Sequence, residues 1–172
     1  MKSKFIPLTL ILIFSITFVI FFKGLKNSNI YTPETNLKKE VPPFELKSFE
    51  NDSIVISEKI FKDNDYYFMN IWASWCIPCK EEHEFLMELK KNQKIKLIGF
   101  NYKDNFKNAK SFLKDLGNPY DIIVLDEDGT SSIDWGAYGV PESFLIYQNN
   151  IIKRFIGPIN NDDLLGIQKI IK

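Results

Sequence analysis

Two cysteines three positions apart, Cys76-Ile77-Pro78-Cys79, stand where an apolar run meets an amphipathic one, and the chain has no other cysteine. The run before them, Tyr66 to Ala73, is nearly continuous in apolar and aromatic residues, as expected of a central strand covered on both faces. After them, Phe85, Leu86 and Leu89 fall on one helical face, with Lys80, Glu81, Glu82, Glu84, Glu88, Lys90 and Lys91 outside it. Proline is tolerated in a first helical turn, so Pro78 does not oppose that helix. The pair can close one disulfide, and so short a loop restrains the unfolded chain little, by roughly 2 kcal/mol on loop entropy. Such a bond is better explained by being made and broken than by holding a fold together.

Thiol–disulfide exchange needs this arrangement. Only the thiolate attacks, and a free thiol with a pKa of about 8.5 is mostly protonated at neutral pH. The unpaired N–H groups and positive dipole end of a first helical turn favour the anion on Cys76. Cys76 is therefore assigned as nucleophile and Cys79, one turn along, as the resolving residue. The alternatives are two inert core thiols or half a metal site. Tetrahedral zinc would need two more ligands, and the chain has one histidine, so neither metal nor cofactor is expected. His83 invites a copper-binding reading, but without the usual spacing and ligand count a surface or capping role is preferred. Glu82 and Glu142 are candidates to take the Cys79 proton, against the alternative of solvated surface acids. Trp72 reads as core, whereas Trp75 is either a lid or a substrate-contacting surface. An X-Pro bond is trans by default, so the residues alone give Pro141 no special geometry.

The 172 residues allow one domain plus an anchor. Phe5 to Phe22 carries no charge, follows Lys2 and Lys4, and lacks a small-residue cleavage site, the first alanine being Ala73. An uncleaved transmembrane signal-anchor over residues 5–22 is expected, after a short cytoplasmic N-terminus at 1–4. Lys23 and Lys26 weigh against that orientation under the positive-inside rule. Residues 23–40 are polar and aperiodic, a tether to a domain at 41–172. That domain is mildly acidic and has no basic patch interleaved with aromatics, which argues against a nucleic-acid partner. Strands are expected at Ile95–Phe100, Asp121–Leu125, Ser143–Tyr147 and Ile151–Ile156, the last two as a hairpin. Helices are expected at 105–116, briefly around Ser132 to Trp135, and after an Asn160-Asn161-Asp162 cap. The order gives an α/β fold, a mixed central sheet with helices on both faces.

The segments Asn70-Ile-Trp-Ala-Ser-Trp-Cys-Ile-Pro-Cys-Lys-Glu-Glu-His83 and Gly139-Val-Pro-Glu142 resemble the thioredoxin superfamily, and its membrane-anchored cytochrome c maturation branch, CcmG/DsbE. Val41-Pro-Pro-Phe44, Asn101-Tyr-Lys-Asp104, Leu116-Gly-Asn-Pro-Tyr120, Tyr138 to Ile146 and Gly157-Pro158 match that branch in order. The resemblance implies a thioredoxin fold with a cis Pro141 facing the cysteines, and Val140 offering its backbone to an incoming peptide as an added strand. Thioredoxin has a buried Asp where this chain has Asn70, so Glu82 and Glu142 gain weight as proton-handling groups, with Trp75 and Pro78 supporting the site. It further implies a redox domain on the periplasmic side of the inner membrane. Its partners there would be an apocytochrome c or a haem-ligation protein as substrate, and a membrane thiol transporter as electron donor. A general periplasmic disulfide reductase or oxidant, and a non-catalytic metal-delivery module, are the competing readings.

Overall fold

The computed structural model describes residues 5–26, 39–61 and 65–171. The expected N-terminal segment 1–4 and residues 27–38 of the expected tether lie outside the described residues. The chain divides into two compact units, Met1–Pro33 and Glu34–Lys172. The first holds helix α1 (Phe5–Lys26), on which Leu10, Ile11, Phe14, Phe18 and Phe21 are exposed. Among the described residues, no helix is long and apolar enough to cross a membrane.

The second unit is built on one mixed sheet of eight strands. In chain order these are β1 (Lys39–Glu40), β2 (Glu45–Ser48), β3 (Val55–Ser57), β4 (Tyr66–Trp72), β5 (Ile95–Tyr102), β6 (Ile122–Asp126), β7 (Glu142–Tyr147) and β8 (Asn150–Ile156). Their spatial order is β1-β8-β7-β4-β5-β6-β2-β3. The sheet thus takes in Lys39 and Glu40, two residues before the expected start of the domain. β4 lies between parallel β5 and antiparallel β7, so both of its edges are paired. Core layers cover both of its faces as well, which explains its unbroken apolar run, since alternation is needed only where one face meets water. β7 and β8 form the expected hairpin, turned by Gln148 (φ 50°) and Asn149 (φ 56°). Two successive residues at positive φ give the turn whose twist matches that of the flanking strands.

Successive side chains of a strand point to opposite faces. On one face Phe68 and Trp72 of β4, Leu97 of β5 and Leu145 of β7 meet the helices α2 (Ile77–Leu89), α3 (Phe106–Leu116) and α5 (Asn161–Ile170), through Leu86, Leu89, Ala109, Leu113, Leu164 and Ile167. On the other, Tyr67, Met69, Ile71, Ile98, Phe100, Phe144 and Ile146 pack on Val41, Phe44, Phe61 and Trp135. Trp135 directly follows the five-residue helix α4 (Thr130–Asp134), and Ile60 of a 3-10 turn joins the same layer. Helical cover is therefore unequal: three full helices on the first face, and on the second a short helix and the proline-stiffened entry. Gly99 of β5 shows how tightly the first layer is closed. A Cβ there would lie 2.8 Å from Trp72 Nε1 and 3.0 Å from the Tyr120 ring, which stack on each other.

Candidate active site

β4 ends at Trp72, and the chain turns through Ala73, Ser74 and Trp75 into α2, with Cys76 as its N-cap. Cys76 and Cys79 are joined by a disulfide, and both residues are almost wholly buried. Cys76 Sγ accepts from the Cys79 N–H at 3.1 Å, so the leading sulfur occupies the place of a capping oxygen. The first-turn N–H groups and the helix dipole therefore act on Cys76 directly once the bond is reduced. Pro78 sits in the first turn, exposed beside Ile77.

The turn before Cys76 is held from outside. The Asp104 carboxylate accepts from Ser74 N at 2.5 Å, Ser74 Oγ at 2.7 Å, Asn101 Nδ2 at 3.0 Å and Asn105 N at 2.8 Å. Trp75 donates from Nε1 to Lys103 O at 3.1 Å and is 57% exposed, which places it on the surface beside the cysteines rather than in the core. Trp72, as expected, is core. The sequence presents Asn101 to Asp104 only as a pattern. Its work as a clamp appears once β5 is laid beside β4.

Glu82 and Glu142 are both buried, so neither is a solvated surface acid. They lie on opposite faces of the sheet. Glu82, one turn beyond Cys79 on α2, faces the layer of Phe68 and Trp72. Its Oε1 accepts from Asn70 Nδ2 at 2.8 Å, and its Oε2 from Ile159 N at 2.9 Å. Burial pushes its carboxyl up from 4.5 to about 7, against the opposing pull of those two donors. Asn70 also donates to Ser143 Oγ at 2.9 Å and accepts from Tyr120 OH at 2.6 Å. Burial, reinforced by the charge of Glu82, holds the Tyr120 phenol well above its usual range. Asn70, Ser143 and Tyr120 belong to this site, yet nothing in the residues gathers them before folding. The one available signal is a polar Asn inside an otherwise apolar strand.

Glu142 shares its face with Phe144 and Ile146, away from α2. It is paired with Arg154, and its Oε2 accepts from Tyr138 N at 3.0 Å. Arg154 donates also to Gly136 O at 2.6 Å and lies over the Tyr138 ring. The pair therefore fastens the Gly136–Tyr138 segment that leads into Val140–Pro141, whose peptide bond is cis. Pro141 is buried and its carbonyl accepts from Gly157 N at 3.1 Å, while Val140 is half-buried and packs against both core layers.

His83 is buried rather than on the surface. Its Nε2 lies 2.9 Å from the carbonyl of Gly117, the C-cap of α3, and its ring meets Phe112 edge-on. Burial lowers its pKa against the opposing Gly117 hydrogen bond. The capping half of the sequence expectation describes this placement.

With a capped cysteine pair and a buried acid one turn away, the chain can be set beside known proteins. The Redoxin family matches residues 36–168. The thiol:disulfide interchange protein DsbE of Escherichia coli (strain K12) is 37% identical over 166 residues, which cover 93% of this chain and 89% of that protein. The chain belongs to the Redoxin family, among DsbE-type thiol:disulfide interchange proteins. DsbE of Vibrio cholerae is 40% identical over 166 residues, covering 93% of this chain and 88% of its own. A crystal structure of a putative DsbE from Chlorobium tepidum superposes with a TM-score of 0.65 at 20% identity, over 79% of this chain and 95% of that one, a likeness of fold. The fold is thioredoxin-like, and the chain is a thiol:disulfide oxidoreductase that carries a Cys76–Cys79 disulfide.

Proposed function

We propose that this oxidoreductase works as a reductant, transferring two electrons from Cys76 and Cys79 to a protein disulfide. The Cys76 thiolate attacks one substrate sulfur, forming a mixed disulfide and releasing the other as a thiolate. Glu82 takes the proton from Cys79. The Cys79 thiolate then attacks Cys76 Sγ, the mixed disulfide breaks, and the second substrate sulfur leaves to be protonated. The protein is left with the Cys76–Cys79 disulfide seen here. The observation that carries the reading is a carboxyl buried one turn from Cys79 and met only by the neutral donors Asn70 Nδ2 and Ile159 N among the described residues; burial pushes it up to about 7, where it can give or accept a proton near neutral pH. Glu142, paired with Arg154 on the far face of the sheet, shapes the cis-proline loop instead. Trp75 and Val140 flank the substrate path, Val140 offering its backbone as an added strand beside Pro141.

The substrate in this reading is an apocytochrome c disulfide or that of a haem-ligation partner, and a membrane thiol transporter returns the electrons. The DsbE kinship and the ordered segments from Val41 to Pro158 support it. In this reading residues 5–22 anchor the chain in the inner membrane and the redox domain faces the periplasm; the uncharged run over 5–22 and the exposed apolar side chains of α1 support it, although the described part of that helix does not by itself reach the length and apolarity of a span.

The test is trapping. Cys79→Ser should accumulate mixed disulfides through Cys76 in membranes, and mass spectrometry should find an apocytochrome c or a maturation protein in them. Adducts spread over unrelated secreted proteins would replace this reading with a general reductase. Adducts on Cys79 in Cys76→Ser, with none in the reciprocal variant, would reverse the assigned roles.

A further inference from the structure

We propose that Tyr120 is a positioning residue for the Glu82 carboxyl, its hydroxyl deciding which end of the Asn70 amide that carboxyl meets. The functional consequence rests on the reading of Glu82 as proton acceptor; the geometry does not. Asn70 is fully buried, and its side chain has one acceptor end and one donor end. Tyr120 OH donates to the acceptor end at 2.6 Å, leaving both amide protons for Glu82 Oε1 and Ser143 Oγ. An unmet polar atom in such a site is costly, so a donor on Oδ1 fixes the NH2 end toward Glu82 and favours its ionised form.

Without the Tyr120 hydroxyl, Oδ1 loses the donor it has among the described residues. The amide can regain one by turning over to accept an O–H from Glu82, which requires that the carboxyl be protonated. Glu82 is met by Asn70 from β4 and the Ile159 N–H before α5; Ser143 of β7 and Tyr120 from the segment before β6 reach Asn70, and Cys79 lies one turn back on the same helix. Asp163 of α5 is turned onto Asn160 N, His83 onto Gly117, and the Glu142–Arg154 pair lies beyond the sheet.

Carboxyl 13C titration of the full chain in detergent micelles reads this directly, the Glu82 resonance being assigned by its loss in Glu82→Gln. Tyr120→Phe should raise the Glu82 midpoint by about one unit, the scale of a hydrogen bond to a charged group. Asn70→Ala should raise it too and abolish any further effect of Tyr120→Phe, because no amide is left to orient. An unmoved midpoint in folded Tyr120→Phe, or an undiminished effect in Asn70→Ala, overturns the proposal. If Tyr120→Phe fails to fold, 3-fluorotyrosine at position 120, a stronger donor, should lower the midpoint, and no shift there likewise overturns it. In Tyr120→Phe, the pH dependence of mixed-disulfide resolution should move with the midpoint. A moved midpoint with an unmoved pH–rate profile leaves Tyr120 its positioning role and removes Glu82 from the proton transfer.

Discussion

Glu82 and Glu142 are chemically the same side chain, both buried, and the structure gives them different surroundings. Among the described residues Glu82 meets two neutral donors and no cation, so desolvation dominates and its proton is held up to about 7. Glu142 meets the Arg154 guanidinium and a backbone N–H, a partnership that fastens the loop before Pro141. Removing the titratable group at 82 therefore tests the proton transfer. Glu82→Gln should slow resolution of the mixed disulfide by about a hundredfold at neutral pH, the lower end of general-base effects. The defect should shrink at alkaline pH, where Cys79 ionises unaided, and rapid-quench analysis of the mixed-disulfide lifetime across pH measures both.

At the scale of elements, the site is made where the end of one strand is tied to the end of the next. β4 delivers the cysteines, while Asp104, just past parallel β5, holds the turn between β4 and α2 through Ser74. Asn105, next in the chain, caps α3 through Lys107 N and Asn108 N, so one short segment anchors both the redox turn and a covering helix. Asp104→Ala leaves the Ser74 N–H without that partner, in a part-buried position. The expected cost is about 1 to 3 kcal/mol. Amide hydrogen exchange should quicken at Ser74 to Cys76 before the rest of the domain opens, whereas uniform quickening would mean that Asp104 serves global stability alone.

For the redox unit as a whole, the raised acid has a thermodynamic consequence. The folded state binds the Glu82 proton more tightly than the unfolded chain, whose carboxyl titrates near its ordinary 4.5. Its contribution is therefore fully present below that value and is lost as pH rises toward about 7, levelling off beyond. The loss is about 3 kcal/mol for a shift of this size. Urea unfolding of the oxidised chain should show greater stability at about pH 5 than at about pH 8, and Glu82→Gln should flatten that difference. A slope unchanged in the variant would assign it to other carboxyls.

The local chemistry was legible because it is local. A strand-to-helix junction with Cys76 at the helix start and Cys79 one turn on follows from Tyr66 to Leu89 and from helix geometry. The hairpin, the order of strands and helices, and the buried character of β4 follow likewise from period and punctuation. The partners of Asn70 lie 12, 50 and 73 residues away, at Glu82, Tyr120 and Ser143, and only the pairing of β4 with β7 and the packing of α2 and Tyr120 on that face assemble them. The separation of Glu82 from Glu142 likewise needed the sheet, because strand parity and helix placement, not spacing along the chain, decide which face a side chain meets. Sequence by itself determined that two cysteines stand one turn apart where a strand gives way to a helix. Tertiary structure decided which acid is buried on the cysteines' side of the sheet with its proton held, since a carboxyl's proton affinity is set by the water it loses and the donors it meets on folding.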